Sequence, residues 1–314
     1  MSANKGRIAV VGSNMVDLVT YVTRMPVKGE TLEAPSFEMG HGGKGANQAV
    51  AAAKLGASVI MVTKVGDDMF ADNTIKNLAG FGVDTKYVTR VKGRSSGVAP
   101  IMVDPSGENS ILIVKGANND LSAADIELAA EDLKTCDLIL LQLEIPVETV
   151  YAAIEFGKRH GVQTLLNPAP AVADLDPRRI HNATFVAPNE TELAILSGLP
   201  VGSEAEIETA ARSLIAKGVE TVIVTIGARG AMLVTAEATR HIAPVRVTPV
   251  DTTGAGDAFL GSFARYYVDG LGLDAALNKA VRYAADSITR RGTQKAYATE
   301  AEFEAFCRTI DGAS

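Results

Sequence analysis

Short apolar runs alternate along this chain with stretches of helical periodicity. Residues 7–12 (RIAVVG), 57–66 (ASVIMVTKVG), 136–144 (CDLILLQLE), 162–168 (VQTLLNP), 183–189 (ATFVAPN) and 220–227 (ETVIVTIG) are nearly continuous in apolar side chains. That is the pattern of strands covered on both faces. Between them, Asn47–Leu55, Ser122–Leu133, Val147–His160 and Glu204–Lys217 have amphipathic helical spacing. The alternation predicts an α/β fold with a mainly parallel sheet and right-handed crossovers. The tail after Tyr297 (EAEFEAFCRTI) has the pattern of a closing surface helix.

Two stretches break the rhythm. Residues 17–40 and 95–116 alternate apolar and polar positions and carry hairpin punctuation, notably Asp104-Pro105-Ser106-Gly107. They read as antiparallel ribbons that pair into a small sheet over one end of the main one. A partly apolar face on such a sheet suits both a lid and a dimer contact. The expectation is a single domain spanning 1–314, with the lid formed by about 13–40 and 92–118.

Composition narrows the function. The chain is 47% hydrophobic and 21% charged with net charge −7 and no long basic run, which disfavours a nucleic-acid partner. Cys136 and Cys307 stand in apolar settings as buried, reduced thiols. His41, His160, His181 and His241 have no neighbour at zinc-ligand spacing. No apolar run reaches membrane-spanning length, and the N-terminal stretch lacks the marks of a leader. The chain therefore reads as cytoplasmic, without a membrane partner.

The candidate chemistry begins at VDTTGAGDAFLG, residues 250–261. The segment before it, APVRVTPVDT, reads as extended, and GDAFLGSFARYYVDG after it has helical spacing. Gly254, Ala255 and Gly256 then form a strand-to-helix turn whose N–H groups and dipole make an anion site. Asp257 falls in the first helical turn. It is either a helix cap or a base accepting a proton beside a transferred phosphoryl group. A second glycine cluster, GHGGKGANQAVAAAKLGA (40–57), precedes an alanine-rich helix. Its glycines permit close ligand approach, and Asn47 offers a donor and an acceptor. Neither cluster fits the Walker A or the dinucleotide fingerprint.

GGKGANQAVAAAKLGA, LNPAP (166–170), PNETE (188–192) and VDTTGAGDAF together resemble the ribokinase (PfkB) family of carbohydrate kinases, in the expected order and across essentially the whole chain. The resemblance implies a three-layer α/β/α fold with a β-sheet lid, often dimeric through that lid. It also implies ATP-dependent phosphorylation of a sugar primary hydroxyl with Mg²⁺. On this reading Asp257 is the base and Gly254, Ala255 and Gly256 are the anion hole. Asn14, Met15, Asp17, Gly42, Gly43, Lys44, Gly45, Asn47 and Glu144 fall in the sugar-binding stretches, with the role of Lys44 left open. Asn189, Glu192, Thr225, Gly227 and Gly230 match the nucleotide and hydrated-magnesium positions. A monovalent cation, usually K⁺, is implied beside Asp251, Thr253, Ser287, Arg290, Gly292 and Ala296, where relatives often have serine in place of Ala296.

Met15 is the informative departure. Ribokinases usually have Asn two positions before the sugar-binding Asp, whereas a thioether is a poor acceptor and no donor. GSNMVDL resembles the deoxyribokinase branch. An apolar pocket rejects an added hydroxyl by only about 10²-fold. The expectation is therefore 2-deoxy-D-ribose as a good substrate with D-ribose tolerated. The alternatives are a nucleoside kinase of the same fold, disfavoured by 5% aromatics and no Trp, and a non-catalytic sugar- or nucleotide-binding regulator.

Overall fold

A computed structural model describes residues 6–106, 108–172 and 175–312. Gly107 of the expected hairpin turn, and the first five residues of the stretch read as lacking a leader, lie outside them. The strands are β1 (Arg7–Val11), β2 (Met15–Tyr21), β3 (Ser36–Gly42), β4 (Ser58–Val65), β5 (Asp84–Arg90), β6 (Val98–Val103), β7 (Asn109–Ile111), β8 (Leu138–Leu141), β9 (Gln163–Leu166), β10 (Phe185–Val186), β11 (Thr221–Thr225), β12 (Ala231–Val234) and β13 (Thr239–Ile242). The α-helices are α1 (Lys44–Lys54), α2 (Met69–Gly80), α3 (Ala123–Leu128), α4 (Ala130–Leu133), α5 (Val147–His160), α6 (Pro177–Ile180), α7 (Glu190–Ser197), α8 (Glu204–Ile215), α9 (Ala255–Val268), α10 (Leu273–Ser287) and α11 (Glu300–Gly312).

Nine strands form the main sheet in the order β13-β12-β11-β10-β9-β8-β1-β4-β5. Every pair from β11 to β5 is parallel, and β12 and β13 close one edge as an antiparallel hairpin. Alternate residues of one strand feed different layers. Ala9 and Val11 of β1 join the layer containing α5 and α8, while Ile8 and Val10 join the layer of α1, α9 and α10. Both faces are thus buried, which is why β1 and β8 read as unbroken apolar runs. Among the described residues, no helix is long and apolar enough to cross a membrane.

A small separate sheet, β3-β2-β6-β7, stands where the lid was expected and is called the lid below. Its two ribbons meet along β2 and β6, which pair in parallel from Val16–Val98 to Tyr21–Val103. The expected antiparallel character holds within each ribbon. Three readings need correction. The helix expected over 122–133 is interrupted at Ala129, whose φ and ψ of −90° and 0° separate α3 from α4. Residues 243–252 are extended in pattern but join no sheet; Pro244 and Pro249 have no N–H to offer a ladder, and the N–H groups of Val250 and Asp251 go to the Ile288 carbonyl. The turn before Asp257 is consequently a loop-to-helix turn. The edge strands β5 and β13, largely polar in sequence, are not separable from loops by apolar content, and β12 is a buried four-residue apolar run not assigned from sequence.

α1 and α9 pack almost backbone to backbone. A Cβ on Gly261 would lie 2.6 Å from Ala51 Cβ and 2.7 Å from the Gln48 carbonyl. This contact brings both helix N-termini to the same edge of the sheet.

Candidate active site

Five parallel strands end on one line, and the segment after each carries a polar group. Ser13 follows β1, Gln142 and Glu144 follow β8, Asn167 follows β9, Asn189 follows β10, and Thr225 ends β11. Ligand sites of parallel α/β sheets lie outside these carboxyl ends. Here α1 and α9 roof the line, enclosing a cleft of about 190 Å³ lined by Lys44, Asn189, Glu192, Thr252, Gly256 and Asp257 among others.

Gly254 is the N-cap of α9, at φ 75°. A side chain there would be strained and would meet Tyr297 Oη at 2.7 Å. The Ala255 N–H makes a long 3.3 Å bond to the Thr252 carbonyl. Those of Gly256 and Asp257 belong to the first turn, which has no intrahelical acceptors. Space in front of Gly256 is open, so an anion can reach this turn.

Asp257 is buried, 5% exposed, and it does not cap its own helix. Asn47 Nδ2 donates to its Oδ2 at 3.0 Å and Gln48 Nε2 to its Oδ1 at 3.0 Å. Gln48 Nε2 is also 3.3 Å from Asn167 Oδ1. A carboxylate that accepts these two bonds still has lone pairs left for an incoming hydroxyl.

The sugar-binding candidates gather beside it. Glu144 Oε2 accepts from Ser13 Oγ at 2.5 Å and from the Lys44 N–H at 2.8 Å, an acid satisfying the first turn of α1. Asp17 lies against the other side of the glycine cluster. A Cβ on Gly42 would be 2.3 Å from its Oδ1, and Gly43, at φ 86°, passes within contact of the Asn14–Met15 backbone. Gly45 packs equally close on Ser13. Burial first, and then the nearby Glu144 charge, push the Asp17 carboxyl up to about 6. Met15 and Asp17 alternate on β2 and share one face of the lid, and Met15 is 2% exposed. Asn14 departs from expectation. Its amide donates to Thr63 Oγ1 and the Lys64 carbonyl, both at 2.8 Å, and its backbone is clasped by Asn118. It joins the lid to β4.

At the other end of the cleft, Asn189 and Glu192 form a reciprocal capping box at the start of α7. Glu192 is 8% exposed, not solvated. Burial is the main influence raising its carboxyl, reinforced by Asp257 and opposed by the Asn189 N–H and Lys44. For Lys44, burial opposes the charge, but Asp257, Glu144 and Glu192 together hold the ammonium above its usual range. Asn189 bridges to Thr225. The TIGARG turn closes through the Ile226 N–H to the Gly230 carbonyl at 2.9 Å, with Gly227 and Gly230 both at positive φ.

Of the six positions implied for a cation, several are linked by hydrogen bonds. Asp251 accepts from the Thr253 and Gly292 N–H groups, both at 2.9 Å. Burial opposes its charge, yet these bonds hold the carboxyl below its usual range. Ser287 lies one residue from Ile288, whose carbonyl takes the Val250 and Asp251 N–H groups. The Arg290 guanidinium spans Asp286 and the Ala296 carbonyl. The one oxygen Ala296 has is thereby occupied.

Sequence reasoning missed Gln48, Gln142, Ser13, Thr252, Gln294 and Tyr297. The available signal was Gln48, a polar residue directly after Asn47 and before the apolar run AVAAA; in the structure it is fully buried and needs a polar partner.

Residues 5–300 match the profile described as pfkB family carbohydrate kinase. A deoxyribokinase of Salmonella typhi is 58% identical over 299 residues, covering 95% of this chain and 98% of its own. A ribokinase of Mus musculus is 40% identical, covering 92% and 91%. Among solved structures, Thermotoga maritima ribokinase superposes with a TM-score of 0.87 at 36% identity, over 96% of this chain and 99% of the other. Arabidopsis thaliana ribokinase complexed with ribose and ATP gives 0.89 at 29% identity, over 96% and 98%. With a cleft built at the strand ends around Asp257 and a match over nearly its whole length, this chain belongs to the pfkB family of carbohydrate kinases.

Proposed function

We propose that the protein is an ATP-dependent pentose kinase that phosphorylates the 5-hydroxyl of 2-deoxy-D-ribose in preference to D-ribose. The observation that carries the reaction is Asp257, a buried carboxylate beside the open first turn of α9. The sugar hydroxyl gives its proton to Asp257 while its oxygen bonds the γ-phosphorus of ATP. The bond from that phosphorus to the β–γ bridging oxygen breaks, and ADP leaves. The Gly256 and Asp257 N–H groups and the Lys44 ammonium offset charge on the transferred group. Thr225, Gly227 and Gly230 receive the nucleotide. Mg²⁺, when bound, would supply positive charge to offset that of the phosphates; Asn189 and the buried Glu192, which line the cleft, would hold it through its water shell.

Asp17, Asn47 and Glu144 take the sugar hydroxyls. The deoxy preference rests on Met15, buried on the Asp17 face, and agrees with the name of the 58% identical relative. With Asp17 raised to about 6, its acceptor form is lost as pH falls through that value. The sugar KM is therefore expected to climb about tenfold per unit below pH 6, and the Asp17→Asn variant to lose that limb in steady-state profiles. A monovalent cation such as K⁺ would rely on Asp251, Thr253, Ser287, Arg290 and Gly292, without Ala296.

The lid exposes Phe37, Met39 and Leu112. Strand register puts Leu18, Met39, Pro100 and Leu112 in one row, the face away from Asp17. A second copy pairing there makes a homodimer, which a light-scattering mass of two chains checks. The reaction itself is tested by ADP release with ATP and Mg²⁺ on each pentose, with and without K⁺. Faster turnover of the deoxy sugar supports the reading, and preference for ribose overturns the role of Met15. Activity on neither sugar favours a nucleoside kinase or a non-catalytic binder.

A further inference from the structure

Two chains of side-chain amides end on Asp257, one on each carboxylate oxygen. In the first, Asn77 Nδ2 donates to Gln294 Oε1 at 2.8 Å, Gln294 Nε2 to Asn47 Oδ1 at 3.0 Å, and Asn47 Nδ2 to Asp257 Oδ2. In the second, Gln142 Nε2 donates to Gln48 Oε1 at 2.6 Å and Gln48 Nε2 to Asp257 Oδ1. A carboxylate only accepts, so the last amide must turn its nitrogen inward, and every amide behind it must follow. The polarity is maintained at a cost: Gln142 Oε1 is buried without a partner among the described residues, and Gln48 and Gln294 are 0% and 3% exposed.

We propose that Gln294, held by Asn77 on α2, is a positioning residue that sets the direction of the Asn47 amide and so keeps a donor on the catalytic base. The Gln294 hydrogen bond to Asn47 Oδ1 favours the orientation in which Asn47 turns its nitrogen to Asp257, and the Asn77 donor behind favours the matching orientation of Gln294. The proposal rests on Asp257 being the base. It also joins the loop carrying Gly292 and Ala296 to the sugar pocket, since Gln294 lies between them.

The polarity can be reversed from outside the cleft. Asn77 is half-buried, three side chains from Asp257. The Asn77→Asp substitution keeps its shape but leaves only acceptors. Gln294 must then turn its nitrogen to α2, Asn47 must turn to donate to Gln294, and an amide oxygen meets the carboxylate. Asn77→Ala removes the bond without imposing a direction. The expected result is kcat lower by roughly tenfold or more in Asn77→Asp and within about threefold of the parent in Asn77→Ala, at similar melting temperatures. If the near-isosteric Asn77→Asp is as active as Asn77→Ala or more so, the relay is overturned and Asn77 is a packing residue. Asp257→Asn, measured alongside, separates the two ideas: if it keeps substantial turnover, the base assignment itself fails, whatever the Asn77 variants do.

Discussion

Asp257→Asn is expected to lower kcat by roughly 10²- to 10⁴-fold, the range contributed by a positioned general base, while ATP and sugar still bind. The substitution removes a proton acceptor and almost no volume. It also disturbs its own surroundings, because Asn47 and Gln48 both present N–H groups to this side chain. An amide can accept on its oxygen only, so one donor is left facing an NH₂ group. Some loss of melting temperature is therefore part of the expectation. Calorimetric titration with each ligand, set beside single-turnover rates, distinguishes the outcomes. Retained binding with collapsed turnover supports the base. Retained turnover would mean that the first turn of α9 and Lys44 do the chemistry alone.

Met15→Asn is expected to raise the ribose-to-deoxyribose ratio of kcat/KM by roughly tenfold or more. The asymmetry lies in what a pocket can refuse. An apolar wall rejects an extra hydroxyl weakly, whereas an amide built to bond that hydroxyl rejects its absence strongly, by ~10⁴-fold in favourable cases. Most of the change should thus appear as lost deoxyribose activity. Met15 is 2% exposed on the Asp17 face of β2, so the new amide must find a partner in the sugar or remain unpaired. Competition kinetics with both pentoses present give the ratio directly. An unchanged ratio would make Met15 a packing residue.

Much of this was legible from residue order alone. The central strands announced themselves because burial on both faces leaves no polar positions, and Asp257 stood out because a carboxylate followed three small residues at a turn. What escaped notice was decided by distant contacts. β5 and β13 are largely polar because they are the two edges of the sheet. Gln48 and Gln294 have no local signature, as their partners lie 209 and 247 positions away in sequence. Asn14 sat in the right motif, yet its amide is used by Thr63 and Lys64. A motif places a residue near a site without fixing where its side chain points.

The lid joins the body at four places, near Asn14, Gly43, Gly97 and Gly116, and not at the two a simple hairpin would have. Its middle seam, β2 against β6, unites segments more than eighty residues apart. Asn118 laces two of these crossings by bonding the Asn14 N–H and carbonyl and the Lys115 carbonyl. A plate hung at four corners cannot peel strand by strand. A motion of this sheet that admitted the sugar or released its phosphate would therefore carry Met15, Asp17 and the outer apolar row together, and a second copy clamped to that row would feel every turnover.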